Sequence, residues 1–265
     1  MEQFNSLQKE NSAKGIKNNE HYIIPVVFHV IHEGGSENIS FEQIEDQMRI
    51  LNEDFARLNP DTFKTPSVFA EYAGDTNIEF RLAKIDPDGN CTQGITRTFS
   101  NLTNSARDNV KSLIQWNPEH YMNIWVVKTI EQFDPDGGIV LGFAQFPNQL
   151  FSNSETDGIV IRHDYCGSIE SASANYGRTL THEAGHWLNL RHIWGDDDCG
   201  DDNIDDTPTG KAPNYGVCDS NGDAAGGDFP YTPFVGACSS SPGQIITQSS
   251  GEMFMNYMDL SLIHI

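Results

Sequence analysis

Hydrophobic and polar positions divide the chain into a patterned first part and an irregular last part. Residues 21–32, HYIIPVVFHVIH, form a β-branched, apolar run that predicts a central strand. Ser40 followed by Gln43 resembles a capping box. Behind it, residues 41–57 place Phe41, Ile44, Met48, Leu51 and Phe55 at helical spacing. Pro60 and Pro66 then mark a loop. Residues 77–85, NIEFRLAKI, alternate as a strand does, and DPDGN follows as a turn. Three more strands are predicted at 121–127 (YMNIWVV), 139–147 (IVLGFAQFP) and 156–163 (TDGIVIRH), and a helix near 176–190. After His192 the chain turns to GDDDCGDDNIDDTPTG and then to Gly, Ser and Pro, with little periodicity. That shift places a boundary between two lobes near residue 192, and no segment repeats.

Composition adds constraints. The 265 residues are enough for one large domain or two lobes sharing a core. Hydrophobic residues make up 37% and charged ones 20%, a globular composition. The net charge of −22 argues against nucleic acid or an anionic membrane as partner and is compatible with bound calcium. No apolar run approaches the roughly 20 residues that span a membrane. The polar N-terminus lacks the apolar core of a signal peptide, so either the protein is cytoplasmic or the start of the gene product is missing. Cys199, Cys218 and Cys238 cluster where packing is weakest, which favours disulfides and an oxidising compartment; Cys91 and Cys166 read as free, semi-buried thiols. Asn38, Asn90 and Asn101 begin sequons that matter only in a glycosylating host.

The chemistry concentrates at 182–192, HEAGHWLNLRH. On a helix, residues four apart share a face, so His182 and His186 can point at one ion. Glu183 lies beside the first of them and can reach a water on the ion without ligating it. A third ligand is needed, and His192 is the candidate. A straight helix would carry His192 about 15 Å away from His182, so the helix must stop and turn. The turn wants a positive φ, and Asn189 is among the few non-glycine residues that tolerate it. The alternatives are a surface helix with solvated histidines, a structural zinc site in which Glu183 has no task, and a third ligand from a downstream glutamate helix; for the last, only Glu252 is available, in a turn-like setting.

HEAGHWLNLRH resembles the extended zinc signature of the metzincins, with Asn189 in the glycine place. IWGDD, DTP at 206–208, MNYMD at 255–259, IPVVFHVIH at 24–32, GITRTFS at 94–100 and LGFAQFP at 141–147 are similar to the pappalysin family, its ulilysin-like branch, over about residues 22–259. The resemblance implies an α+β fold: a twisted mixed five-stranded sheet, a backing helix, an active-site helix and an irregular C-terminal lobe. It implies a secreted zinc endopeptidase acting on proteins or peptides. His182, His186 and His192 would hold zinc, Glu183 would act as general base, and Met258 would form the Met-turn under the imidazoles. The edge strand near 139–147 would pair with an extended substrate. The resulting division is 1–20 as a lead-in or propeptide remnant, 21–192 as the catalytic lobe, 193–259 as the C-terminal lobe and 260–265 as a tail.

The acidic stretch 196–206 reads either as a solvated loop or as a calcium site. The resemblance points to calcium, with Asp202, Asp206 and Thr207 in a DxxxDTP pattern and Ile204 offering its carbonyl. It also implies a disulfide between Cys199 and Cys238, and leaves Cys218 without a partner. In the family the Met-turn continues as Met-Asp-Tyr, the tyrosine supporting the transition state, whereas Leu260 follows Asp259 here. Residues 260–265, LSLIHI, are the translation of CTGTCTCTTATACACATC, a transposon end used in sequencing adaptors, and are expected to be adaptor-derived. On that expectation the natural chain continues past Asp259. The rival readings are a non-catalytic metzincin-like binding domain and an inactive fragment of the protease.

Overall fold

The apolar run at the start of the pattern is strand β1 (Tyr22–His32), the central strand of the sheet. Our computed structural model describes residues 20–132, 138–147, 154–197, 199–208, 210, 213, 253 and 255–260. Helix α1 (Phe41–Phe55) follows β1, then strands β2 (Ile78–Leu82), β3 (Ile95–Phe99), β4 (Met122–Val127), β5 (Gly142–Ala144) and β6 (Ile159–Arg162), and helix α2 (Thr179–Trp187). The architecture is α+β, with a mixed sheet ordered β2-β1-β4-β6-β5. β2, β3 and β4 all run parallel to β1. β2 matches Tyr22–Val26, and β3 matches Phe28–His32. β4 occupies the other edge of β1, so β2 and β3 lie end to end along one edge. β6 is parallel to β4, and β5 closes the sheet antiparallel to β6.

Both faces of the sheet are covered, as a parallel sheet requires. Val26, Phe28, Val30, Ile124 and Ile159 pack with Ile44, Met48 and Leu51 of α1 and with Leu180 and Ala184 of α2. Ile31, Trp125, Val127 and Val160 pack on the opposite face with Val110. Full burial of each such side chain contributes about 1.5–3 kcal/mol. One polar residue interrupts β1 on that second face. His29 is completely buried, its Nδ1 2.7 Å from the Thr96 hydroxyl and its Nε2 2.9 Å from Asn123 Oδ1. Burial lowers its pKa to about 4, so the ring is neutral at pH 7 and ties β1 to both flanking strands.

The differences from the sequence reading have local causes. The sheet has six strands, not five: β3 (ITRTF) carries polar residues at three of five positions and shows no apolar alternation. The predicted strand at 139–147 narrows to three residues. α1 ends at Phe55, two residues early. Its capping box is one-sided. Ser40 Oγ accepts from the Gln43 N–H at 2.9 Å, but the Gln43 amide donates to the carbonyls of His163 and Cys166 instead of returning to Ser40. Cys91 and Cys166 are free, but one is exposed and the other fully buried, so neither is semi-buried. Cys199 is disulfide-bonded. Cys238 and Cys218, Glu252, residues 1–19 and 261–265 lie outside the described residues.

Candidate metal centre

α2 is held to the sheet by Leu180 and Ala184, which leaves its other stripe for His182 and His186. The helix stops where the spacing of the third histidine demands. Asn189 takes φ +79°, its N–H donates to the His186 carbonyl, and the Leu190 N–H donates to the Gly185 carbonyl, both at 2.9 Å. These two bonds form a Schellman motif with asparagine in the left-handed position. The reversed chain brings His192 beside the helix. Nε2 of His186 lies 3.0 Å from Nε2 of His182 and 3.1 Å from Nε2 of His192. Among the described residues, these three form the group whose ligand atoms all fall within 4.8 Å of one another.

The outer nitrogens decide what the inner ones can do. His182 Nδ1 is 2.6 Å from the Tyr257 carbonyl, and His186 Nδ1 is 2.8 Å from the Leu190 carbonyl. His192 Nδ1 meets the Asp196 carboxylate. Each Nδ1 faces an acceptor and so carries the ring proton, which leaves a bare lone pair on every Nε2. Three lone pairs converging at this distance repel unless a cation lies between them. Tetrahedral zinc, bound at about 2.0–2.1 Å, spaces its ligand nitrogens about 3.3 Å apart, close to what the trio presents. The residues therefore fit zinc. Burial, then the neighbouring His192, lowers the His186 pKa to about 4, so its ring needs no deprotonation to serve.

The surroundings fix the rings. Phe146 lies 5.0 Å from the His186 ring, and the Trp194 ring stacks on His192 at 4.3 Å with planes 7° apart. Met258 is buried with Ile193, Trp194 and Leu260, and its carbonyl accepts from the Ile193 N–H at 3.3 Å. A Cβ on Gly185 would fall 2.3 Å from Met258 Sδ, so the sulfur sits against the turn of α2 between His182 and His186. Glu183 is buried, and its carboxylate stays outside the ligand group. It rests on the edge strand: a Cβ on Gly142 of β5 would lie 3.0 Å from both Cγ and Oε1 of Glu183. Burial pushes the Glu183 pKa up to about 8, and a cation held by the adjacent histidines would draw it back down towards the ionised form.

Asp202 is buried, and its Oδ1 accepts from the Ile204 N–H at 2.9 Å. Burial raises its pKa to about 6, with Asp201 and Asp206 adding to the rise. Thr207 donates its N–H to the Ile204 carbonyl at 3.2 Å. Asp202, Ile204, Asp206 and Thr207 thus share one short loop, and all four line a cavity of about 550 Å³ together with Tyr257 and Met258.

Mature mirolysin of Tannerella forsythia, solved with a cleaved peptide, is 43% identical and superposes with a TM-score of 0.75, covering 91% of this chain and 84% of that one. The profile of the pregnancy-associated plasma protein-A family matches residues 104–232. The chain belongs to the pappalysin family. Like mirolysin, this pappalysin has the metzincin fold. A promirolysin variant is 38% identical with a TM-score of 0.74. An extracellular metalloprotease of Arthroderma otae is 26% identical over 210 residues, which are 77% of this chain and 65% of that protein. The chain spans 57–65% of the length of the first such curated relatives.

Sequence reasoning missed the groups that steer the imidazoles. Asp196 stands four residues after His192, and that spacing was its only signal. Tyr257 and Leu190 act through backbone carbonyls, which no side-chain pattern reveals.

Proposed function

We propose that this pappalysin is a secreted zinc endopeptidase that hydrolyses internal peptide bonds of extracellular proteins. The observation that carries the reading is the convergence of three bare imidazole nitrogens next to a buried glutamate that faces a glycine on the edge strand. Zinc, when bound, polarises a carbonyl oxygen and lowers the pKa of a water towards about 7. His182, His186 and His192 would hold it. Glu183 takes a proton from the attacking water as the water oxygen bonds to the scissile carbon. It returns that proton to the leaving nitrogen as the carbon–nitrogen bond breaks. β5 pairs on one side with β6, and its other edge, which no strand among the described residues pairs with, would offer backbone groups to an extended peptide. Gly142 keeps that edge low beside Glu183.

The test is cleavage of a peptide library by the purified protein, with a zinc chelator and then with zinc restored. Cleavage that stops and returns supports the reading; undiminished cleavage under chelation overturns it. A second reading, a metal-holding domain that binds without cutting, is favoured by Leu260, whose side chain carries no hydrogen-bond donor where the family's tyrosine would carry a hydroxyl. It predicts zinc binding with no cleavage of any library member.

We further propose calcium at Asp202, Asp206, Thr207 and the Ile204 carbonyl. A buried carboxyl pressed upward by burial and two acidic neighbours supports a cation there. Calcium should raise the melting temperature over a chelated sample at constant zinc; equal melting curves would sink this assignment.

A further inference from the structure

We propose that Asp54 is a positioning residue for the metal centre, holding the zinc helix and the Met-turn in register from the backing helix. The inference rests on reading the histidine trio as a zinc site. Asp54 lies near the end of α1, with its side chain 1% exposed. Its Oδ1 accepts from the Tyr257 hydroxyl at 2.6 Å, and its Oδ2 accepts from the Thr181 hydroxyl at 2.7 Å. Thr181 immediately precedes His182, and the carbonyl of Tyr257 is the acceptor for His182 Nδ1 at 2.6 Å. The four residues close a ring across three segments of the chain. One carboxylate thereby grips Tyr257 and the residue just before His182, on either side of the hydrogen bond that orients His182.

Arg178, at the start of α2, completes the arrangement. Its Nε lies 3.8 Å from Asp54 Oδ1, its guanidinium sits 5.6 Å from the Tyr257 ring centroid, and Asp61 binds it at 2.5 Å. General packing does not require this group. α1 already docks through Ile44, Met48 and Leu51, and an apolar residue fills such a position at lower desolvation cost than a buried carboxylate. What the carboxylate adds is direction: two acceptor oxygens that fix where Thr181 and Tyr257 stand. Groups that orient a metal-bound imidazole typically change metal affinity 10–100-fold when removed.

The experiment measures zinc affinity and the visible spectrum of the cobalt-substituted protein for Asp54→Ala, Asp54→Asn, Tyr257→Phe and Gln47→Leu. Asp54→Ala and Tyr257→Phe should each weaken zinc by about 10–100-fold and shift the cobalt bands, with Asp54→Asn recovering part of the loss. Gln47 is an equally buried polar residue of α1, but it bonds to Gly177 and Gly167, away from the Met-turn. Its loss should lower the melting temperature yet leave zinc affinity within about twofold of the parent. Should Asp54→Ala not fold, Tyr257→Phe, which keeps the ring, decides alone. The proposal is overturned if Tyr257→Phe binds zinc within about twofold of the parent with an unchanged cobalt spectrum. A parent protein that binds zinc but cleaves nothing would defeat the protease reading and leave this one standing.

Discussion

Replacing Glu183 by alanine should leave zinc bound and lower peptide hydrolysis by about 10²–10⁴-fold, the range in which a positioned general base contributes. The two effects separate because Glu183 and the histidines occupy different directions around α2. His182 and His186 converge with His192, whereas Glu183 rests against Gly142. Removing its carboxylate takes away the proton acceptor without touching the ligand group. Alanine also removes volume from a packed position, so Glu183→Gln is the sharper variant. It keeps the contact with Gly142 and cannot accept the proton. Both variants should fall in kcat more than they rise in KM, because the missing interaction belongs to the transition state. The check is steady-state kinetics on a peptide cleaved by the parent, with zinc content measured on the same samples. A glutamine variant cleaving at the parent rate with zinc bound would remove Glu183 from the mechanism.

Zinc should raise the melting temperature of the metal-free protein strongly, and His186→Ala should abolish that rise. Without the ion, the Nε2 lone pair of His186 faces those of His182 and His192 at 3.0 and 3.1 Å. A ligand that binds only the folded state stabilises it by about 4 kcal/mol at a thousandfold excess over Kd. For a chain of this size that amounts to roughly 8–16 °C in Tm. His186 sits between the other two rings, so its removal leaves one ligand on the helix and one beyond the turn. The measurement is thermal unfolding with and without zinc for both proteins. A zinc-dependent shift of the same size in His186→Ala would show that the ion binds elsewhere.

The strongest features were legible because local chemistry set them. β1 and α1 follow apolar spacing that tertiary context only reinforces, and the H-E-x-x-H spacing places two imidazoles on one face wherever a helix forms. Asn189 announced the reversal, since few residues adopt its φ. What escaped was non-local. β3 is built of residues that suit a strand, but ITRTF shows no apolar alternation, and the edge of β1 that it pairs with lies far away in sequence. Gln43, Gln47 and Asp54 are buried on α1 although their polarity reads as solvent-facing, because each meets acceptors or donors more than a hundred positions away. Tyr257 steers His182 through a carbonyl that every residue possesses, so its identity carried no signal.

The order of assembly follows from the same long-range pairings. Asp54 and Tyr257 are separated by 203 positions, and His29 meets Asn123 across 94. Loops of that size close only after much chain entropy has been surrendered, so contacts across them form late in folding. Leu190 and Asp196 aim two of the histidines from four residues away, but the groups that set His182 arrive from both ends of the chain. Helix α2 can form early without being a finished centre, because the carbonyl that orients His182 belongs to Tyr257, 75 positions further on.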